Sequence, residues 1–156
     1  MIADHFEKMQ FMPGSRVIAR EVSIQEHYPF YSDPYRLSVI LNNLISNAIK
    51  YHDPVKDTPM IRITGEIQKN NVTLSFEDNG IGIEERYQPK VFEMFFRATE
   101  KNKGAGLGLY IVKEAVDKLK GEVKIESVIG KGTCFRITIP NYISKEFLDP
   151  VEVTMK

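Results

Sequence analysis

The sequence predicts a mixed α+β domain, mainly antiparallel strands with helices layered on one face. Three observations predict it: two stretches with apolar residues at three- and four-residue spacing, a hairpin pattern between them, and a second pair of strand-like segments near the end. With 156 residues, 42% hydrophobic and 10% aromatic, the chain can close one sizeable core but not two ordinary ones. A single domain over residues 1–140 is expected, followed by a tail at 141–156.

Residues 1–15 are mixed in character, and Met12–Ser15 (MPGS) reads as a turn. The β-branched residues of Arg16–Ile24 predict a first strand. An aromatic loop, HYPFYS, leads to Asp33-Pro34, which is a helix start. The Asp side chain accepts from free N–H groups, and Pro at the first helical position gives up nothing. Leu37, Ile40, Leu41, Leu44, Ile45, Ala48 and Ile49 then follow a helical period until HDPVKDTP ends it. Ile61, Ile63 and Ile67 alternate, Lys69–Asn71 turns the chain, and Val72, Leu74 and Phe76 alternate again. A long irregular segment runs from Asn79 to Ala105. A second helix starts at a glycine ladder and reaches about Lys120, with Leu109, Val112, Val116 and Leu119 on one face and Gly121 as its stop. The segments EVKIES and TCFRITI flank a turn at Val128–Gly132.

Composition narrows the functional classes. Basic and acidic residues both number 21, so neither nucleic acid nor an anionic membrane is suggested as the main partner. One cysteine, Cys134, excludes an internal disulfide and fits a reducing compartment. No apolar run is long enough to span a bilayer, and MIADHFEKMQ lacks a signal peptide's basic flank and apolar centre. A cytoplasmic domain without membrane contact is expected.

Three motifs carry chemistry. Asn43, Asn47 and Lys50 share a narrow polar stripe bordering the apolar face of the first helix, with Arg36 in the same stripe and Asn42 and Ser46 facing outward. An amide oxygen there can complete Mg²⁺ coordination beside phosphate, and a lysine one turn on supplies a charge. A solvated helix edge would look the same. Asp78 shares the inward phase of Val72, Leu74 and Phe76, and a carboxylate so placed needs hydrogen-bond partners. It could accept from the exocyclic amine of adenine, where guanine's carbonyl would be repelled, or it could only cap the DNG turn. Thr133, in phase with Phe135, Ile137 and Ile139, also points inward and could reach the same ligand edge directly or through a water. The ladder GAGLGL sets Gly104, Gly106 and Gly108 before a helix, whose free N–H groups suit phosphate. Its spacing fits neither the dinucleotide-binding fingerprint nor the P-loop. Before it, KVFEMFFRATEKNK reads as a lid that orders on a ligand, or as a surface loop pinned to the core by Phe92 and Phe95.

Together and in this order, these segments resemble the ATP-binding catalytic domain of bacterial two-component sensor histidine kinases, over roughly residues 33–140. RLSVILNNLISNAIKY is similar to that family's N box, DNGIGI to its G1 box, VFEMFFRA to its F box and GAGLGLYIVK to its G2 box, while GKGTCFRITIP resembles the closing strand. The F box separates this family from gyrase, heat-shock chaperone and mismatch-repair relatives of the same fold.

The resemblance implies a two-layer α/β sandwich, with a mostly antiparallel sheet covered on one face by helices and ATP held between the helices under the lid. It implies Asn47 as the Mg²⁺ ligand, Asn43 beside the phosphates, Lys50 contacting them and Tyr51 lining the site. Asp78 would read the adenine amine, with Gly80, Gly82, Ile83 and Thr133 around the base. The backbone of Gly104, Ala105, Gly106, Leu107, Gly108 and Leu109 would hold the phosphates, and Phe92, Phe95 and Arg97 would belong to the lid and its docking surface. The implied partners are a dimerising, phosphoacceptor helical domain and a downstream response regulator. His5, His27 and His52 match no phosphoacceptor box and read as surface or loop histidines, so transfer of the γ-phosphate to a histidine elsewhere is expected. A non-catalytic nucleotide-binding module, or a serine-directed kinase of the anti-sigma type, is the alternative.

Overall fold

A computed structural model describes residues 1–100 and 104–142; the end of the lid (101–103) and most of the tail (143–156) lie outside the described residues. The element order is α1 (Ile2–Lys8), β1 (Ala19–Glu26), α2 (Pro34–Lys50), β2 (Met60–Ile67), β3 (Asn71–Asp78), α3 (Gly108–Lys118), β4 (Glu122–Val128) and β5 (Gly132–Pro140). The strands form one sheet in the order β1-β2-β3-β5-β4. Only β1 and β2 run parallel; the other neighbours are antiparallel. The parallel pair needs a crossover, and α2 provides it.

Helix α2 forms as its sequence dictates. The Asp33 carboxylate accepts from the N–H groups of Tyr35 and Arg36, with Pro34 at the first position. Leu37, Ile40, Leu41, Leu44, Ile45, Ala48 and Ile49 are all buried on the sheet side. They meet Ile61, Ile63, Val72, Phe76, Phe135, Ile137 and Ile139 from the strands in one core, which Val112 and Val116 of α3 and Leu119 at its C-cap complete. Removal of such apolar side chains from water, worth about 1.5–3 kcal/mol each, is the main force holding the layers together.

Two local readings are corrected. The first strand begins at Ala19 rather than Arg16, because Gly14 adopts φ 84° and Ser15–Val17 wind into a 3₁₀ turn. Gly121 is not the left-handed residue that stops α3; Lys120 takes that conformation at φ 58°. The N–H of Gly121 bonds the carbonyl of Val116 and that of Lys120 bonds Asp117, a Schellman closure. Gly121 is needed for a different reason: a Cβ there would sit 2.5 Å from the Thr138 carbonyl oxygen of β5.

The N-terminal residues, which show no clear pattern in sequence, include the seven-residue α1. So short a helix depends on docking. Phe6 is buried, Arg20 lies over its ring at 4.9 Å, and His5 reaches α2. His5 is therefore not the surface residue expected: its Nδ1 lies 2.6 Å from Asn42 Oδ1 and its Nε2 3.3 Å from Ser38 Oγ. Asn42, expected to face outward, is half-buried as its partner. Asn141 is buried, donates to the carbonyls of Pro29 and Gln68, and accepts from the N–H of Tyr31. Among the described residues no helix is long and apolar enough to cross a membrane.

Candidate functional site

The inner face of the sheet is apolar except at one end, where the strand register lines up Asp78 (β3), Thr133 (β5) and Ser127 (β4) as adjacent residues. The rows beneath are apolar, for example Phe76, Phe135 and Ile125. This polar row is one wall of a site; the ends of α2 and α3 are the other.

On the helical wall, Asn43 donates its Nδ2 to the Val39 carbonyl at 2.8 Å, which directs Oδ1 away from its own helix. A Cβ built on Gly108 would lie 3.2 Å from that Oδ1 and 3.7 Å from Asn47 Oδ1. Both amide oxygens therefore converge on the first turn of α3. That turn starts at Gly108 with Leu107 as N-cap and carries no side-chain cap. Uncapped N–H groups and the positive end of the helix dipole favour an anion there. Lys50 is exposed at the last position of α2.

Tyr51 and Gly80 join the two walls. The Tyr51 carbonyl accepts from Ile81 N–H at 3.0 Å, and a side chain at Gly80 would collide with that carbonyl oxygen. Gly80 N–H donates to Asp78 Oδ1 at 2.8 Å, leaving the second carboxylate oxygen for other partners. Gly82, at φ 75°, brings its loop against the carbonyl of Val128. Ile83 is tied down through its N–H to Ser127 Oγ at 2.8 Å. Asn79 stitches the loop's other side, accepting from Met60 N–H at 2.7 Å and donating to the Thr58 carbonyl at 2.8 Å.

Burial pushes the Asp78 carboxyl up to about 6, against the opposing pull of the Gly80 and Thr133 backbone N–H groups and the nearby Lys56 charge. A carboxylate kept partly dehydrated in this way is a candidate recognition group.

The lid contacts the glycine ladder directly. Phe95 N–H bonds the Gly106 carbonyl at 2.9 Å, and Arg97 donates to the Gly104 carbonyl at 3.0 Å. Phe95 sits at φ 64° and is 65% exposed, whereas Phe92 packs edge-on to Phe135 at 6.2 Å. Of the two phenylalanines proposed as pins, only Phe92 reaches the core. Met94 and Ile111 are also exposed beside this lid and helix. Ala105 and Leu109 complete the ladder, the first exposed and the second packed on the core.

Two supporting residues were missed in the sequence. Ser127 shares the inward phase of Val123 and Ile125 in EVKIES, a signal that would have found it. Lys56 donates to the carbonyls of Asn79 and Lys131, bridging two loops, and nothing in its local sequence marks it. No group of three His, Cys, Asp or Glu residues able to hold a metal occurs among the described residues, so a cation here would depend on amide oxygens and ligand oxygens. An amide oxygen such as that of Asn47 suits Mg²⁺, a hard cation that keeps phosphate and water ligands.

With this geometry in place, residues 32–143 match the family described as Histidine kinase-, DNA gyrase B-, and HSP90-like ATPase, and the chain belongs to that family. Within it, the chain is an ATP-binding catalytic domain of the sensor histidine kinase type. It is 36% identical over 148 residues to the autoinducer 2 sensor kinase/phosphatase LuxQ of Vibrio harveyi, covering 87% of this chain and 16% of that protein. It is 34% identical over 128 residues to a probable C4-dicarboxylate sensor kinase of Bacillus subtilis, covering 81% of this chain and 24% of that protein. Among solved structures, a mycobacterial sensor histidine kinase, MprB, superposes with a TM-score of 0.74 at 27% identity, covering 90% of this chain and 91% of that one. Full-length ShkA in complex with AMPPNP gives a TM-score of 0.74 at 25% identity, over 90% of this chain and 29% of that one. The chain thus spans only a small part of the curated relatives named here.

Proposed function

We propose that this domain binds Mg·ATP and delivers the γ-phosphate to a histidine on a separate dimerising helical domain, with a response regulator downstream, in the cytoplasm. The observation that carries the reading is the convergence of the Asn43 and Asn47 amide oxygens on the uncapped start of α3, together with the half-buried Asp78 carboxylate at the end of β3. Bound nucleotide and Mg²⁺ would supply the transferable phosphoryl group and neutralise part of its charge. The chain's own residues would bind and orient. Asp78 accepts from the adenine amine, with Tyr51, Gly80, Gly82, Ile83 and Thr133 shaping the base pocket. Asn47 would hold the metal, Asn43 and Lys50 would meet the phosphates, and the N–H groups of residues 104–109 would stabilise their charge. Such fixed dipoles need no reorganisation as charge shifts, so positioning and electrostatics account for the rate.

The lid excludes water through Phe95 and Arg97. The exposed Met94, Phe95 and Ile111 offer an apolar surface on which a helical partner could dock, and this supports an incoming phosphoacceptor domain. Titration calorimetry with a non-hydrolysable ATP analogue tests the binding half. Heat is expected with the ATP analogue, stronger with Mg²⁺ and absent with GTP; equal response to GTP would overturn it. The transfer half is tested by adding a purified family helical hairpin and following γ-phosphate. Acid-labile phosphohistidine is expected on the hairpin and none on this chain alone.

A further inference from the structure

The Ser127 hydroxyl has three polar neighbours, one in the loop after β3 and two in β5. Ile83 N–H donates to its Oγ at 2.8 Å, the Gly132 carbonyl lies 2.9 Å away, and Thr133 Oγ1 lies 2.8 Å away. A serine hydroxyl has one proton and two lone pairs. The amide of Ile83 can only donate, and the carbonyl of Gly132 can only accept. All three contacts are hydrogen bonds in one arrangement alone: Ser127 gives its proton to Gly132, and Thr133 gives its proton to Ser127. Thr133 Oγ1 then has no hydrogen left for a ligand and offers lone pairs. Thr133 is buried beside Asp78 in the sheet register. The Asp78 carboxylate, when ionised, also only accepts.

We propose that Ser127 sets the base specificity of the site by consuming the Thr133 hydroxyl proton, so that Thr133 and Asp78 meet the purine as two acceptors. Directed at the two hydrogens of a purine 6-amino group, two acceptors are both satisfied, whereas a 6-oxo purine turns only carbonyl lone pairs on them. A site built to pair a donor loses discrimination when one of its groups can rotate to suit the wrong partner. The inference rests on the adenine reading above and adds a positioning residue to it. Ser127 itself touches no ligand in this scheme.

The test compares ATP with ITP by calorimetry in the presence of Mg²⁺. In the unaltered protein ATP is expected to bind more tightly. Ser127→Ala leaves the Thr133 hydroxyl free to turn and donate to the inosine carbonyl, so the ATP-over-ITP ratio should narrow by about tenfold. Ser127→Thr, which retains a hydroxyl, should keep the ratio. A purely structural Ser127 would weaken both nucleotides by one factor, and an unchanged ratio in Ser127→Ala overturns the inference while leaving the nucleotide site standing. If the unaltered protein binds neither nucleotide, the adenine reading itself falls. Should Ser127→Ala fail to fold, Thr133→Val removes the acceptor while sparing the Ser127 contacts to Ile83 and Gly132. It should weaken ATP about tenfold with little change for ITP, and equal weakening of both overturns the proposal.

Discussion

Asp78 concentrates the conflict between stability and recognition. Its carboxyl titrates near 6 in the fold against 3.8 for an ordinary aspartate, because burial penalises the charge. The folded state therefore holds this proton more tightly than the unfolded chain does. Its contribution to stability is greatest below 3.8 and is lost as pH rises from there through about 6. Nucleotide binding runs the other way, since only the ionised form is a pure acceptor. ATP affinity should fall as pH drops through about 6, measured by calorimetry in a series of buffers between neutral and mildly acidic. Asp78→Asn should abolish most ATP binding while raising the melting temperature of the free protein at neutral pH by about 2–6 °C. An unchanged affinity would place the purine elsewhere. The inward phase of Asp78 was legible in sequence because strand residues alternate strictly. Ser127, one strand beyond Thr133, was equally in phase but unremarkable until the register set it against Thr133.

At the scale of elements, the start of α3 is the sensitive junction. Gly108 is there to let the helix approach two asparagines, whose oxygens a Cβ would meet at 3.2 and 3.7 Å. Gly108→Ala should leave the fold intact, since alanine suits a helix better than glycine. It should nevertheless weaken ATP-analogue binding about tenfold by displacing the Asn43 amide, as calorimetry beside a thermal melt would show. Gly132 is the opposite case. Its φ is 130° and a side chain would strike the carbonyl oxygen of Asp78, so Gly132→Ala should destabilise the whole domain by more than about 1 kcal/mol in urea unfolding. Helix α2 and the β2–β3 hairpin were legible at nearly full length, because capping, periodicity and turn chemistry all agree locally. Helix α1 was not, since its seven residues hold together only through what they dock against.

For the molecule as a whole, one core supports both walls of the site. Ile45 is fully buried at the centre of α2, and Ile45→Ala should cost about 2–5 kcal/mol in urea unfolding. Because Asn43 and Asn47 share that helix, the same change should loosen the site. His5 fastens α1 to the flank of α2 through Asn42 and Ser38. His5→Ala would strand those partners beneath α1 and should cost about 1–3 kcal/mol in the same measurement. The chain of contacts from Gly108 through Asn43, Asn47, Tyr51, Gly80 and Asp78 to Thr133 crosses four elements that are distant in sequence.

The amino-acid sequence by itself determined the two long helices, the hairpins, the inward phase of Asp78 and Thr133 and the family resemblance, since each depends on spacing within a short window. Tertiary structure alone decided that the two asparagine oxygens face an uncapped helix start, that His5 is buried, and that Ser127 meets Thr133 across the sheet. Those facts follow from side chains meeting across elements, where the distance between atoms bears no relation to separation along the chain.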